Sequence, residues 1–191
     1  MDYALDIDGA PAEIPAGTAI LLEHPSIGGT DPVDNGFLRP GEEPALVVST
    51  RTTAREVTEK LNHYGVDPDR TEILDTLSID RGYSRRSRPG VHFVSAPDDI
   101  EGILDVVETF LADHDGGRVS FDSISELAYY AGEEPAAQAL ESVTELLSEH
   151  GAVGLFHVSP EVHEAPTRER FANACEALIE IDAEGSMRVE F

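Results

Sequence analysis

Four short, almost unbroken apolar runs, residues 18–22, 45–49, 119–121 and 152–158, alternate with segments of helical period in this 191-residue chain. A strand exposed on one face alternates apolar with polar side chains. Strands this uniformly apolar belong to a sheet covered on both faces. The pattern therefore predicts a three-layer α/β/α architecture with a mostly parallel central sheet. Residues 53–64 read as a helix: Thr53 and Glu56 have capping-box spacing, Val57, Leu61 and Tyr64 share a face, and Gly65 can end it. Further helices are expected over residues 98–113, 136–150 and 167–174. Near the end, Ile179 and Ile181, then Met187, Val189 and Phe191, alternate around Ala183-Glu184-Gly185, which predicts a C-terminal antiparallel hairpin. Residues 70–88 are the least regular stretch, with Ile73 and Leu74 as a short strand. No repeat or long linker divides the chain, so residues 1–191 read as one domain with residues 1–13 as an N-terminal lead-in.

The charge is strongly one-sided. There are 38 acidic residues against 13 basic ones, a net charge of −25, and Lys60 is the one lysine. Such a surface opposes phosphate-driven nucleic-acid binding. It fits a protein working at molar salt, where the Debye length falls to about 3 Å and self-repulsion is screened. The composition resembles that of cytoplasmic proteins of halophilic archaea. A 40% hydrophobic content with regular periodicity argues against disorder. No apolar run is long enough to span a membrane, and the acidic N-terminus lacks the basic region of a secretory signal. The lone Cys175 forms no internal disulfide, which fits a reducing cytoplasm.

After the first run comes Glu23-His24-Pro25-Ser26-Ile27-Gly28-Gly29-Thr30-Asp31. This is where a phosphate-binding loop would sit, Gly-x4-Gly-Lys-Ser/Thr. Here His24 falls on the first Gly, Gly29 on the second, Thr30 on the Lys and Asp31 on the Ser/Thr. With the order of elements, the chain resembles the RecA/KaiC-like ATPases over roughly residues 14–191. Ile14-Pro15-Ala16-Gly17-Thr18 is similar to the family's lead-in to strand one, and Pro40-Gly41-Glu42-Glu43-Pro44 to its entry into strand two. Arg118-Val119-Ser120-Phe121-Asp122 is similar to the Walker B strand. The resemblance implies a nucleotide site in which Gly28 and Gly29 turn the loop and Asp122 assists Mg²⁺. Yet Thr30 brings no cation, Asp31 brings negative charge, and the family's acidic pair after strand two falls on Arg51 and Thr52. The long helix after the loop is replaced by residues 31–40. There Asp31 and Pro32 can start one turn, but Gly36 and Pro40 oppose more. The expectation is a pseudo-ATPase with no catalytic residues and no cofactor, acting as a regulatory or scaffold module. The alternative is a nucleotide switch or weak ATPase holding ATP or ADP with Mg through Gly28, Gly29, Thr30, Asp31, Arg51 and Asp122.

The basic cluster Arg81, Tyr83, Arg85, Arg86 and Arg88 is a candidate partner-binding loop. In so acidic a chain it points to a protein partner, a second copy or an active KaiC-like relative. A regulator contacting DNA through this loop is a further alternative, with guanidinium planes and Tyr83 stacking on bases. His157, Glu161, His163 and Glu164 carry metal-ligating chemistry, but their spacing matches no compact ligand pattern, so no metal is expected. Ser120, Ser123 and Ser125 surround Asp122 without a Gly-x-Ser-x-Gly elbow and read as small polar residues at a strand end. Cys175 reads as a buried small residue, and Tyr129 and Tyr130 as core or interface.

Overall fold

The computed structural model describes residues 2–27, 29–83 and 88–191. Strands β3 (Ala19–Glu23), β4 (Ala45–Ser49), β7 (Arg118–Asp122) and β8 (Val153–Val158) are the four apolar runs, shifted by at most a residue or two from the sequence reading. They form the centre of an eight-stranded sheet with β5 (Thr71–Asp75), β6 (Val91–Phe93), β9 (Ala177–Ile181) and β10 (Met187–Glu190). The order is β10-β9-β3-β8-β7-β4-β5-β6, parallel throughout except for the predicted hairpin, where β10 runs antiparallel to β9.

Side chains alternate across each strand and so supply two cores. Leu21, Leu46, Val48, Val119 and Phe121 face one side with helices α3 (Ile100–His114), α4 (Ile124–Ala131), α5 (Glu133–His150) and α6 (Ala165–Asn173). Ile20, Leu22, Val47, Val153 and Leu155 face the other, with α1 (Asp31–Leu38) and α2 (Ala54–Tyr64). Helix α2 is capped as its spacing predicts. The Thr53 N–H donates to Glu56 Oε2 at 2.8 Å, and Gly65 closes the helix at φ +70°.

Several elements depart from the sequence reading: β6 and α4 are absent from it, and α1 and the N-terminal lead-in differ most in form. Helix α1 has eight residues where a single turn was expected. The Gly36 penalty is offset by contact: its bare Cα lies against the Asp6 backbone, and the Asp6 N–H donates to the Gly36 carbonyl at 2.9 Å. The lead-in is built structure, strands β1 (Asp2–Ala4) and β2 (Glu13–Pro15) paired as a separate antiparallel ribbon. Arg118, fully buried at the start of β7, fastens it. Its guanidinium donates to the carbonyls of Ala4 (3.0 Å) and Phe37 (2.8 Å) and pairs with Glu43 at 3.1 Å. Among the described residues no helix is long and apolar enough to cross a membrane.

Candidate functional site

Because β3, β8, β7 and β4 are parallel, their carboxyl ends meet at one edge, where β3 and β4 diverge around β8 and β7. In open α/β sheets that divergence is the ligand crevice. Here charged side chains of the chain itself fill its α1 and α2 side. Asp34, on the inner face of α1, lies 2.9 Å from His157 Nε2, and its other oxygen accepts from Lys60 Nζ (3.0 Å) and Thr30 Oγ1 (2.9 Å). Lys60, reaching over from α2, also pairs with Asp31 at 3.1 Å, and the Tyr64 hydroxyl donates to the same carboxylate. Asp34, His157 and His24 are all buried.

The hydrogen bonds fix where the protons sit. His24 Nδ1 donates to the Pro25 carbonyl at 2.8 Å, which leaves Nε2 of a neutral His24 as an acceptor. His157 Nδ1, 3.2 Å away, donates to it, and His157 Nε2 faces Asp34. His157 thus lies between a neutral imidazole, to which its Nδ1 donates, and a carboxylate 2.9 Å from its Nε2 that is close enough to pair with a charged ring but is not aligned for a hydrogen bond. Burial alone would lower its pKa, but Asp34 and then Asp122 outweigh burial and raise it above the ordinary value. Burial and the charge on His157 push His24 down. Burial opposes ionisation of Asp34, but His157 and Lys60 overcome it and hold its carboxyl well below the usual range.

On the far side of β7, Arg51 Nε lies 3.3 Å from Asp122 Oδ1. Ser49 and Asp122 are register partners at the ends of β4 and β7, which brings residue 51 over the end of β7. The structure thus gathers Thr30, Asp31, Arg51 and Asp122 at one edge, and Gly29 borders it with open space around its Cα. Gly28 lies outside the described residues. Asp34, Lys60 and Tyr64 escaped sequence reasoning. The available signal was Lys60 itself, a single lysine in an acidic chain, one helical turn before Tyr64 on α2.

The other candidates are dispersed. Arg81, Tyr83 and Arg88 line an open cleft beside α2 and β6 whose lining includes no residue of the ion network, and Arg85 and Arg86 lie outside the described residues. His157, Glu161, His163 and Glu164 do not converge: His157 faces Asp34, Glu161 accepts from the Ser26 N–H at 2.7 Å, and His163 meets Ser125 and Glu133. Cys175 packs against the α3–α6 core, and burial pushes its thiol up to about 12. Tyr129 stands exposed on α4.

Comparison with known proteins bears on the fold and the family. No curated protein matches the chain. Among solved structures it is similar to the KaiC-like protein PH0186 from the hyperthermophilic archaeon Pyrococcus horikoshii OT3, with a TM-score of 0.71, 16% identity, and coverage of 99% of this chain and 87% of that one. At that identity the likeness shows the fold alone, and the fold is KaiC-like. A model of a family of unknown function (DUF7090) matches residues 1–191. The chain, matched from end to end, belongs to that family.

Proposed function

We propose that this chain is a RecA/KaiC-like module without ATP hydrolysis, which acts by binding another protein in the cytoplasm of a halophilic archaeon. One observation carries the reading. The cations at the strand ends are already engaged inside the chain, Lys60 by Asp31 and Asp34, His157 by Asp34, and Arg51 by Asp122. Triphosphate binding needs cations and free backbone donors for its oxygens, plus a base or positioned water for hydrolysis. This edge instead holds a buried carboxylate, Asp34, one turn into the helix where phosphates would gather. Arg51 occupies the position after strand two where the resembled ATPases carry acid. The net charge of −25 supports a setting at high salt. In so acidic a chain, the cluster Arg81, Tyr83, Arg85, Arg86 and Arg88 supports a protein partner, either a second copy or an active relative.

Thermal melting in molar KCl, with and without Mg-ATP, tests the reading. A ligand present at a hundred times its Kd stabilises by about 2.7 kcal/mol, roughly 5–10 °C for a chain of this size. The expected result is no shift. A shift of that size, abolished by Asp122→Ala, would overturn the pseudo-ATPase and establish the nucleotide switch.

A further inference from the structure

A serine outside the ion network carries the geometry of a nucleophile. Ser125 is the second residue of α4, and its Oγ lies 2.7 Å from His163 Nε2. His163 Nδ1 lies 2.8 Å from Oε1 of Glu133, the first residue of α5. The proton assignments close without conflict. The Ser159 N–H donates to Ser125 Oγ at 2.8 Å, so the hydroxyl proton is free to go to His163 Nε2. That nitrogen can accept because Nδ1 carries the proton donated to Glu133. Bonds from His163 and then from Thr167 lower the pKa of Glu133, keeping the carboxylate charged. The edge of Phe171 packs against the His163 ring, centroids 5.2 Å apart, and the imidazole side chain is only 3% exposed. The orienting contacts are therefore in place on both sides of the ring.

The serine opens into a cleft of about 570 Å³ whose apolar lining is Ala128 and Tyr129, on the same face of α4 as Ser125, together with Val162, and Arg51 lines it after β4. Tyr129 and Val162 are 80% and 58% exposed, apolar surface that no part of this chain covers among the described residues. The geometry points to Ser125, His163 and Glu133 as an acyl-transfer triad that hydrolyses carboxylic esters with an apolar acyl group. Serine, histidine and a carboxylate in these roles recur on unrelated folds and are recognised by geometry.

In the reaction, Ser125 Oγ attacks the ester carbonyl carbon while its proton passes to His163 Nε2. In the first turn of α4 the Glu126 N–H is taken by Ser123 Oγ and the Leu127 N–H by the Ser123 carbonyl, so the oxyanion falls to the backbone N–H of Ser125 itself, the first-turn donor nearest the reacting oxygen. The carbon–oxygen bond to the alcohol then breaks, and the alcohol leaves with the proton from Nε2. Water adds to the acyl-serine, gives its proton to Nε2, and the carboxylic acid departs as Ser125 recovers the proton. Water is the sole co-reactant. The triad shares no residue with the Asp31, Asp34, Lys60 and His157 network, so it stands whether or not nucleotide binds.

The test combines a covalent probe with turnover, on the full chain in molar KCl. A tagged fluorophosphonate should give one adduct, mapped by peptide mass to Ser125, with fluoride leaving as the oxygen–phosphorus bond forms. Hydrolysis of p-nitrophenyl butyrate should fall at least about a hundredfold in Ser125→Ala and in His163→Gln. Glu133→Gln should lower kcat with little change in KM, because the imidazolium formed during the reaction loses the carboxylate that orients and stabilises it. If these three residues serve only to tie α4 and α5 to the β8–α6 connection, no adduct forms on Ser125 and turnover is indifferent to the substitutions. Either result overturns the triad. The adduct is measured on the unaltered chain, so the outcome is decisive even if a variant fails to fold.

Discussion

At the residue scale the ion network makes a pH prediction. His157 is buried, and the charged groups facing it are Asp34 from α1, Asp122 from β7 and Lys60 from α2, with neutral His24 at its other nitrogen. Its folded pKa is raised above the ordinary 6.5. The stability it contributes is therefore fully present below pH 6.5 and is lost as pH rises through the folded value. Within that window the wild-type chain should lose about 1.4 kcal/mol per pH unit relative to His157→Gln. Urea unfolding of both proteins at fixed KCl, from pH 6 upward, measures the difference. Parallel curves would mean that His157 is neutral and that Asp34 is balanced by Lys60 and Thr30 alone. Much of this site could be read from sequence, and its physics explains the part that could not. Thr30, Asp31, Arg51 and Asp122 stood out because they occupy places with a known chemistry in the resembled family. Asp34 and Lys60 did not, because their partnership crosses from α1 to α2 and no local spacing records it. Ser125 was passed over for the same reason: its partners sit 8 and 38 residues further along the chain.

At the element scale, legibility followed the strength of local signals. The capping box and αL glycine made α2 readable almost to the residue. Strand β6 has three half-buried residues, too few to show a period. Helix α4 has apolar residues at helical spacing, Ile124, Leu127, Ala128 and Ala131, but it begins within the serines around Asp122 that read as a strand end. Helix α1 shows why propensity alone underestimates a helix. Gly36 is unfavourable for an isolated helix, yet here it is what lets α1 touch the N-terminal segment. A Cβ at this position would meet Asp6 O at 2.2 Å and Ile7 Cγ1 at 2.7 Å, and the first of these is backbone and cannot swing away. Gly36→Ala should therefore destabilise the chain by about 1–3 kcal/mol, although alanine is the better helix former. Thermal melting reads this directly. A variant as stable as the parent would show that the ribbon of β1 and β2 shifts freely over α1.

At the scale of the whole molecule, two electrostatic regimes coexist. Inside, charges are paired closely: Arg118 with Glu43, and Asp34 with His157 and the Lys60 ammonium that reaches in from α2. Salt screens such buried pairs poorly. Outside, the net charge of −25 leaves acidic side chains in large excess over the basic ones that could pair with them. At 0.1 M salt the Debye length is about 10 Å, long enough for neighbouring surface carboxylates to repel across solvent; at 1 M it is about 3 Å. Repulsion of this kind opposes the compact state more than the expanded one. Added salt should therefore remove a destabilising interaction on the surface while leaving the buried pairs nearly intact. The melting temperature should rise by at least several degrees between 0.1 M and roughly 2 M KCl, followed by circular dichroism. The His157 contribution to pH dependence should persist at the higher concentration, since it arises between groups shielded from solvent. A melting temperature that is flat or falls with KCl would show that surface repulsion does not limit this fold, and the high-salt setting would lose its physical basis.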